Sequence, residues 1–191
     1  MRKFKVFLLV ILACHLFSPF EMQAVCQVYF SPRDRLGERL IENIASEKCS
    51  IKAAVYCLMD VQIAKAFIDA YARGVDVEVI VDPYSLRAHS PIDQMVESGV
   101  DVYVWYPDAA KSSKKYRPLM HDKFCVFGKH AVWTGSFNFT KKASSSNREN
   151  AVLLTDKEIV NKFLEEFEAL KRQGALTYQD YLEQAPFKKR A

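Results

Sequence analysis

The sequence predicts an α/β protein, an α/β/α sandwich whose helices cover both faces of a mixed, mostly parallel β-sheet. One observation is the alternation of strand-like and helix-like segments over residues 25–106, which is typical of β-α-β units. A second is the run 124–127, which is apolar on both faces, as in a strand covered on both sides. The chain has 191 residues, of which 50% are hydrophobic, so we expect one domain with a substantial core.

Four strands and three helices are predicted before residue 107. The strand-like segments are rich in β-forming residues and cover 25–31, 50–58, 75–82 and 100–106. The helix-like segments carry apolar residues at helical spacing and cover 33–48, 60–74 and 90–99. Asp60 is a suitable N-cap, and Gly74 and Gly99 stand where glycine commonly ends a helix.

The order of elements changes after residue 106. Residues 107–118 are polar and basic and predict a loop. The predicted elements that follow are strands at 119–127, 130–135 and 149–155, an amphipathic helix at 156–174, and a tail with a short helix and a basic end.

Residues 1–24 have the three-part layout of a secretory signal peptide. A basic start precedes an apolar run over 6–17, which is too short to span a bilayer comfortably, and the segment ends on Ala24. We therefore predict cleavage after Ala24, export to the periplasm or the outside of the cell, and one mature domain over 25–191. The alternatives are an uncleaved membrane anchor and lipidation at Cys14.

The mature chain is nearly neutral and carries no metal-binding pattern. Residues 1–24 hold three basic and one acidic side chain, so their removal lowers the net charge from +4 to +2. Any attraction for a polyanion must then come from local patches. The remaining cysteines show neither a C-x-x-C motif nor zinc-ligand spacing. An exported protein could pair them, but Cys57 and Cys125 lie in apolar runs and are expected to be buried.

The stretch 120–140 predicts a β-hairpin that gathers polar side chains at its open end. Gly128 suits the first position of a two-residue turn, which would place His121 opposite Ser136 and Lys123 opposite Thr134. A three-residue loop would shift this register by one without separating the groups. His121 and Lys123 share one face because side chains alternate along a strand. A nucleophile, a cation and hydrogen-bond donors therefore meet, as attack on a phosphodiester requires.

This spacing resembles the signature of the phospholipase D superfamily, His-x-Lys-x4-Asp-x6-Gly-Ser-x-Asn. The matching residues are His121, Lys123, Gly135, Ser136 and Asn138. The likeness extends over about residues 28–170 and is strongest to the small members with a single motif. The resemblance implies a phospholipase D-like fold and hydrolysis of phosphodiester bonds without a metal or other cofactor.

The resemblance also implies a role for each residue of the site. His121 would attack phosphorus and form a phosphohistidine. Lys123, Ser136 and Asn138 would bind the phosphate oxygens. Glu149 stands where small members of the family carry a carboxylate that orients the histidine, and a solvated charge at a strand end is the alternative.

Gly128 occupies the position of the aspartate in the family motif. If it lies in the hairpin turn, it is roughly 15 Å from Lys123, because a strand rises about 3.3 Å per residue. A carboxylate there would have a structural function, and glycine can form the same turn in another way. We therefore expect activity to survive the replacement.

A single motif supplies one histidine, whereas double displacement uses one group to attack and another to protonate the leaving oxygen. The simplest solution is a homodimer with a shared site on its twofold axis. His89, in the loop after strand 75–82, is the rival general acid within the chain. His130 is excluded because it lies at the far end of the hairpin.

The loop before the motif contains a cluster of basic side chains that could steer an anionic substrate towards His121. They are Lys111, Lys114, Lys115 and Arg117. The expected substrate is nucleic acid, cut by an endonuclease, and the alternative is an anionic or other phosphatidyl lipid. Exposed aromatic residues at 105, 106, 116 and 133 would favour the lipid. A non-catalytic phosphate-binding module is the second class of function, suggested by the missing aspartate.

Overall fold

The computed structural model describes residues 25–87, 89–107 and 117–184. The predicted signal peptide and the loop residues Lys111, Lys114 and Lys115 lie outside these ranges. In chain order the elements are β1 (Cys26–Phe30), α1 (Leu36–Ser46), β2 (Ser50–Val55), α2 (Val61–Ala72), β3 (Asp76–Val81), a 3-10 turn (Pro83–Ser85), α3 (Ile92–Glu97), β4 (Asp101–Trp105), β5 (Lys123–Phe127), β6 (Ala131–Gly135), α4 (Lys141–Ser145), β7 (Asn150–Leu154), α5 (Lys157–Gly174), β8 (Ala175–Thr177) and α6 (Tyr178–Gln184).

The strands form one mixed sheet in the order β1-β7-β6-β5-β2-β3-β4-β8. Among the strand pairs in the described ranges, β2–β3 and β3–β4 alone are parallel, so the prediction of a mostly parallel sheet is inexact. The β-α-β alternation does give β1 to β4 a common direction. However, β5 and β7 run the opposite way and lie between β1 and β2, so most neighbouring pairs are antiparallel.

Helices cover both faces of the sheet, as predicted. One core forms where α1, α2 and α3 pack on the face that carries Ile51, Val79 and Trp133. The other forms where α5 packs on the face that carries Ile80, Phe124 and other buried residues. Strand β5 is buried along its whole length, which confirms the double covering expected from its apolar sequence.

Two capping predictions are confirmed, and one strand was missed. The Asp60 carboxylate accepts from Gln62 N, and Gly74 ends α2 with φ +88°. The short edge strand β8 lies in the segment predicted as a tail. It pairs with β4 through three residues only, too few for a recognisable strand pattern.

Within the described ranges, no helix has the length and apolar character needed to cross a membrane. Cys57 and Cys125 are buried, as expected, and Cys26 and Cys49 are exposed. All four are present as free thiols. Burial raises the pKa of the Cys125 thiol well above its usual value.

The loop of the β5–β6 hairpin contains three residues, 128–130, so the two-residue turn is wrong and the three-residue alternative is confirmed. His130 N donates to Phe127 O over 3.2 Å, which closes the turn. The ladder then resumes with Phe127 opposite Ala131. His130 is the last residue of the loop. Its Nε2 atom lies 3.6 Å from the buried Glu47 carboxylate.

Gly128 lies at this turn, at the opposite end of β5 from His121. Its backbone has φ +52°, and its N–H donates to Ser50 O at the start of β2 over 2.8 Å. A Cβ atom on this residue would lie 3.0 Å from His130 Nδ1 and 3.6 Å from Glu47 Oε1. The position of the family aspartate therefore already borders a buried carboxylate from another part of the chain.

Restoring the family aspartate is expected to destabilise this protein. Gly128→Asp would add a second carboxylate beside Glu47 on a left-handed residue, and the free energy of unfolding should fall by about 1–3 kcal/mol. Urea unfolding at about pH 8 measures this. Gly128→Ala is the matched control, because it adds the Cβ atom without the charge and should cost less. A Gly128→Asp variant more stable than wild type would contradict the prediction.

Candidate active site

Four chain segments meet at one edge of the sheet, where β2 and β6 end and β5 and β7 begin. Tyr56, just after β2, donates its N–H to the carbonyl of Asp122, just before β5, over 2.8 Å. Phe139, beyond β6, donates to the carbonyl of Cys57 over 3.0 Å. Loops at the carboxyl ends of parallel strands commonly hold ligand sites, and β2 and β3 end here.

His121 and Lys123 lie side by side at this edge. The His121 side chain is exposed, whereas Lys123 is only 8% exposed. Lys123 Nζ donates to the His121 carbonyl over 2.6 Å and lies 3.2 Å from His121 Nδ1. Burial lowers the pKa of the Lys123 ammonium, and neighbouring carboxylates only partly oppose this. A bound phosphate would pair with the Lys123 ammonium as its counter-charge.

Ser136 and Glu149 are joined across the same edge. Ser136 Oγ donates to one Glu149 carboxylate oxygen over 2.6 Å, and Asn147 donates to the other over 3.0 Å. Ser136 Oγ also accepts from Asn150 N over 3.0 Å. The Glu149 carboxylate thus holds Ser136 here. Its predicted orientation of His121 stays a prediction.

Gly135 of the motif is required by close packing of β6 on β7. A Cβ atom at this residue would come within 2.2 Å of Asn150 O and 2.8 Å of Ala151 Cα. In the observed register Lys123 lies opposite Gly135, one position from the predicted Thr134. The shift leaves the site intact because Ser136 still follows directly on the strand end.

The Asn138 side-chain oxygen has no hydrogen-bond partner among the described residues, and this Oδ1 atom is buried. The neighbouring backbone is fixed, since Phe139 pairs with the segment after β2. The amide is therefore held near the strand end. Phosphate oxygens accept hydrogen bonds, so phosphate binding would use the Asn138 Nδ2 donor, and this assignment stays a prediction.

A buried ion pair holds the chain that leads into His121. The Asp82 carboxylate is 0% exposed and accepts Arg117 Nη2 at 2.9 Å on both oxygens. It also accepts the backbone N–H groups of Tyr84 and Met120. The charge of Arg117 is thus compensated inside the fold by Asp82. Its predicted role, the steering of an anionic substrate, requires a charge that is not paired in this way. Sequence reasoning missed Asp82, although a carboxylate closing the apolar segment 75–82 is a usable signal.

Sequence reasoning also missed two stacked tyrosines, Tyr56 and Tyr84, beside His121. The Tyr56 ring packs on His121 with centroids 4.6 Å apart, and Lys123 Nζ lies 5.3 Å from the centre of the same ring. Tyr84 stacks on Tyr56 with centroids 4.8 Å apart. Both tyrosines follow parallel strands at their carboxyl ends, and that position was the available signal.

The rival histidine, His89, is exposed and has a left-handed backbone with φ +65° in the loop after the 3-10 turn.

Trp133, one of the aromatics considered for lipid contact, is fully buried and stacks on Tyr29. No cluster of three or more His, Cys, Asp or Glu side chains within 25–87, 89–107 and 117–184 is arranged to hold a metal ion.

The fold and the site define an α/β sandwich with a histidine–lysine centre and polar donors at the edge of its sheet. The family model described as "Cardiolipin synthase, PLD-like domain" matches residues 40–171. The chain therefore belongs to the phospholipase D superfamily, as its motif residues indicated. Its structure is similar to that of Nuc, a phospholipase D family member from Salmonella typhimurium. The TM-score is 0.70 and the identity 30%, over 82% of this chain and 99% of Nuc.

Two curated relatives share the same part of the chain. A phospholipase D of Rickettsia bellii is 29% identical over 137 residues, which are 71% of this chain and 64% of the relative. A mitochondrial cardiolipin hydrolase of Canis lupus familiaris is 31% identical over 154 residues, which are 80% of this chain and 57% of the relative. The chain thus spans less than two thirds of either protein.

Proposed function

We propose that the protein is a metal-independent phosphodiesterase in which His121 is the nucleophile. The observation that carries this proposal is the exposed His121 imidazole with the buried Lys123 ammonium 3.2 Å away. Ser136 and Asn138 follow β6 at the same edge of the sheet. The Asn138 amide nitrogen would donate to phosphate oxygens there, as would the Ser136 hydroxyl once it turns from Glu149 to the substrate. Fixed donors of this kind stabilise the charge that develops on a phosphoryl group under attack.

The reaction proceeds in two displacements. A His121 ring nitrogen attacks phosphorus, the P–N bond forms, and the bond to the leaving oxygen breaks as that oxygen takes up a proton. Water then attacks phosphorus, the P–N bond breaks, and the proton of the water passes to a general base. Lys123 neutralises the phosphate in both steps, so His121 and Lys123 supply what a metal would otherwise provide.

The proton for the leaving oxygen comes, in this proposal, from a second His121 in a homodimer. Twofold symmetry would place two copies of one exposed histidine on either side of a single phosphate. Sedimentation equilibrium of the active protein is expected to give the mass of two chains. A fully active single chain would contradict the shared site and favour His89 as the general acid.

The proposed substrate is nucleic acid, cut within the strand. The second candidate is a phosphatidyl lipid, which the names of the phospholipase D and cardiolipin hydrolase relatives favour. The test incubates purified protein with plasmid, single-stranded DNA and RNA, and separately with phosphatidylcholine and cardiolipin vesicles, all in EDTA. Cleavage of nucleic acid alone supports the first candidate, and release of phosphatidic acid alone supports the second. If the protein cleaves neither nucleic acid nor lipid but still binds phosphate, its function would be that of a non-catalytic phosphate-binding module.

The pH dependence of kcat/KM should report the buried lysine. Because burial lowers the pKa of Lys123, its ammonium is present below that pKa and is lost as pH rises through it. The alkaline limb of kcat/KM is therefore expected below the ordinary lysine value of 10.5. Bound phosphate stabilises the ammonium, so the limb of kcat should lie at higher pH. A Lys123→Arg variant, which stays charged, should lose this limb. A wild-type limb at or above the ordinary value would contradict the assignment.

We also propose that residues 1–24 export the chain to the periplasm or the outside of the cell. This rests on the basic start and the short apolar run of that segment. A fusion to a reporter that is active only after export would test it.

A further inference from the structure

The row of rings beside His121 ends in an exposed arginine. The Arg87 guanidinium carbon lies 3.7 Å from the centre of the Tyr84 ring. Since Tyr84 stacks on Tyr56, and Tyr56 packs on His121, each step from the nucleophile to this cation is shorter than 5 Å. An arginine held over an aromatic face is restrained by the cation–π attraction. Arg87 is thus a cation restrained against the rings that contact the nucleophile.

The charge of Arg87 is not compensated by the surrounding protein. In the described part of the chain, Arg87 forms no ion pair with a carboxylate, unlike Arg117, which is paired with Asp82. Its contact besides Tyr84 is Cys57 Sγ at 3.7 Å from Nη2. Burial raises the pKa of the Cys57 thiol, which therefore remains neutral near pH 7. Arg87 is exposed, so its positive charge remains accessible to an anionic ligand.

We infer that Arg87, held by Tyr84, is a second phosphate-binding subsite for the nucleic-acid strand that flanks the scissile bond. A polynucleotide carries a phosphate on every nucleotide, so further negative charges flank the one under attack. Arginine can donate two hydrogen bonds to a phosphate, and its plane can stack on a base. The inference rests on the proposed function and adds the recognition of the substrate.

The test compares a substrate with neighbouring phosphates and one without. The kcat/KM values of wild type and variants are measured on a short single-stranded oligonucleotide and on bis(p-nitrophenyl) phosphate, whose only phosphate is the one attacked. The ratio compared is kcat/KM on the oligonucleotide divided by kcat/KM on bis(p-nitrophenyl) phosphate. Arg87→Ala is expected to lower this ratio about 10-fold, as the loss of one charge-assisted contact would. The salt dependence of oligonucleotide binding should also fall, by about 0.7 in the slope of log K against log[salt].

Three further variants make the result specific. Lys162→Ala removes an exposed positive charge on α5 and should leave the ratio unchanged. Tyr84→Ala should lower the ratio as Arg87→Ala does, because the guanidinium loses its aromatic support. Tyr84→Phe should preserve the ratio, because the ring face remains.

Two groups of outcomes would overturn the inference. An unchanged ratio in Arg87→Ala, or an equal fall with Lys162→Ala, would show that Arg87 contributes no specific contact. Reduced cleavage of cardiolipin vesicles with unchanged cleavage of the oligonucleotide would assign the subsite to a lipid. Failure of the proposed function has a different signature, since wild type would then hydrolyse neither substrate or His121→Ala would remain active.

Discussion

Replacing His121 with alanine is expected to lower kcat/KM on any phosphodiester substrate by about 10⁴-fold or more, because the variant lacks the nucleophile. The fold should persist, since the His121 side chain is exposed and its ring contacts Tyr56 and Lys123 only at the surface of the site. Hydrolysis of bis(p-nitrophenyl) phosphate in EDTA measures the effect. A labelled phosphoryl group should remain on wild-type protein after an alkaline quench and be absent from the variant.

His130→Ala is the matched control for this experiment. His130 is also exposed, but it lies at the turn of the same hairpin, at the other end of β5. Its replacement should leave kcat/KM within about 2-fold of wild type, as expected for a surface change away from the site. Full activity of His121→Ala would remove the phosphohistidine mechanism altogether. Equal losses in both variants would indicate damage to the hairpin instead of loss of a nucleophile.

Asp82→Asn is expected to lower the free energy of unfolding by about 3 kcal/mol, because it leaves the Arg117 charge without its buried partner. The Asp82 side chain is fully buried and accepts hydrogen bonds from Arg117, Tyr84 N and Met120 N. An asparagine can accept through one oxygen only. Because Met120 directly precedes His121, kcat/KM should also fall, by about 10-fold to 100-fold, as small displacements of reacting groups can cause.

A double-mutant cycle separates the ion pair from other effects of the substitution. Arg117→Leu removes the stranded charge, so Asp82→Asn should cost less in that background than in wild type. Asp101→Asn, at an exposed carboxylate at the start of β4, is the control and should change the unfolding free energy by less than about 0.5 kcal/mol. Strictly additive losses in the cycle would show that the pair does not stabilise the fold as a unit.

The sequence predicted what depends on short-range patterns. Helices α1, α2 and α5 and the buried strand β5 were found because apolar spacing and caps such as Asp60 are local signals. The sequence also places His121, Lys123, Ser136 and Asn138 near one another, because they lie on or just beyond the two strands of a hairpin, whichever register the loop selects. The motif identified the family for the same reason. The roles of these residues stay a prediction.

Features that depend on distant pairings were not predictable in this way. The antiparallel neighbours arise because β5 and β7 enter the sheet between β1 and β2, and strand direction alone does not reveal the order in space. Asp82 follows β3 and Arg117 lies before β5, and no local sequence pattern around either residue predicts its partner. Tyr56, Tyr84 and Arg87 follow two different strands. Their row exists only because those strands lie side by side.

The position of β1 has a consequence for when the chain can fold. Among the described residues its partner is β7, so Cys26 pairs with Leu154, and five further strands are synthesised between the two. Such long-range pairing closes slowly and cannot begin until the chain is nearly complete. The first strand after residue 24 therefore remains unpaired during synthesis. A chain with that delay stays unfolded at its leading end, and the proposed export of this chain would require such a state, because a narrow channel admits only an unfolded chain.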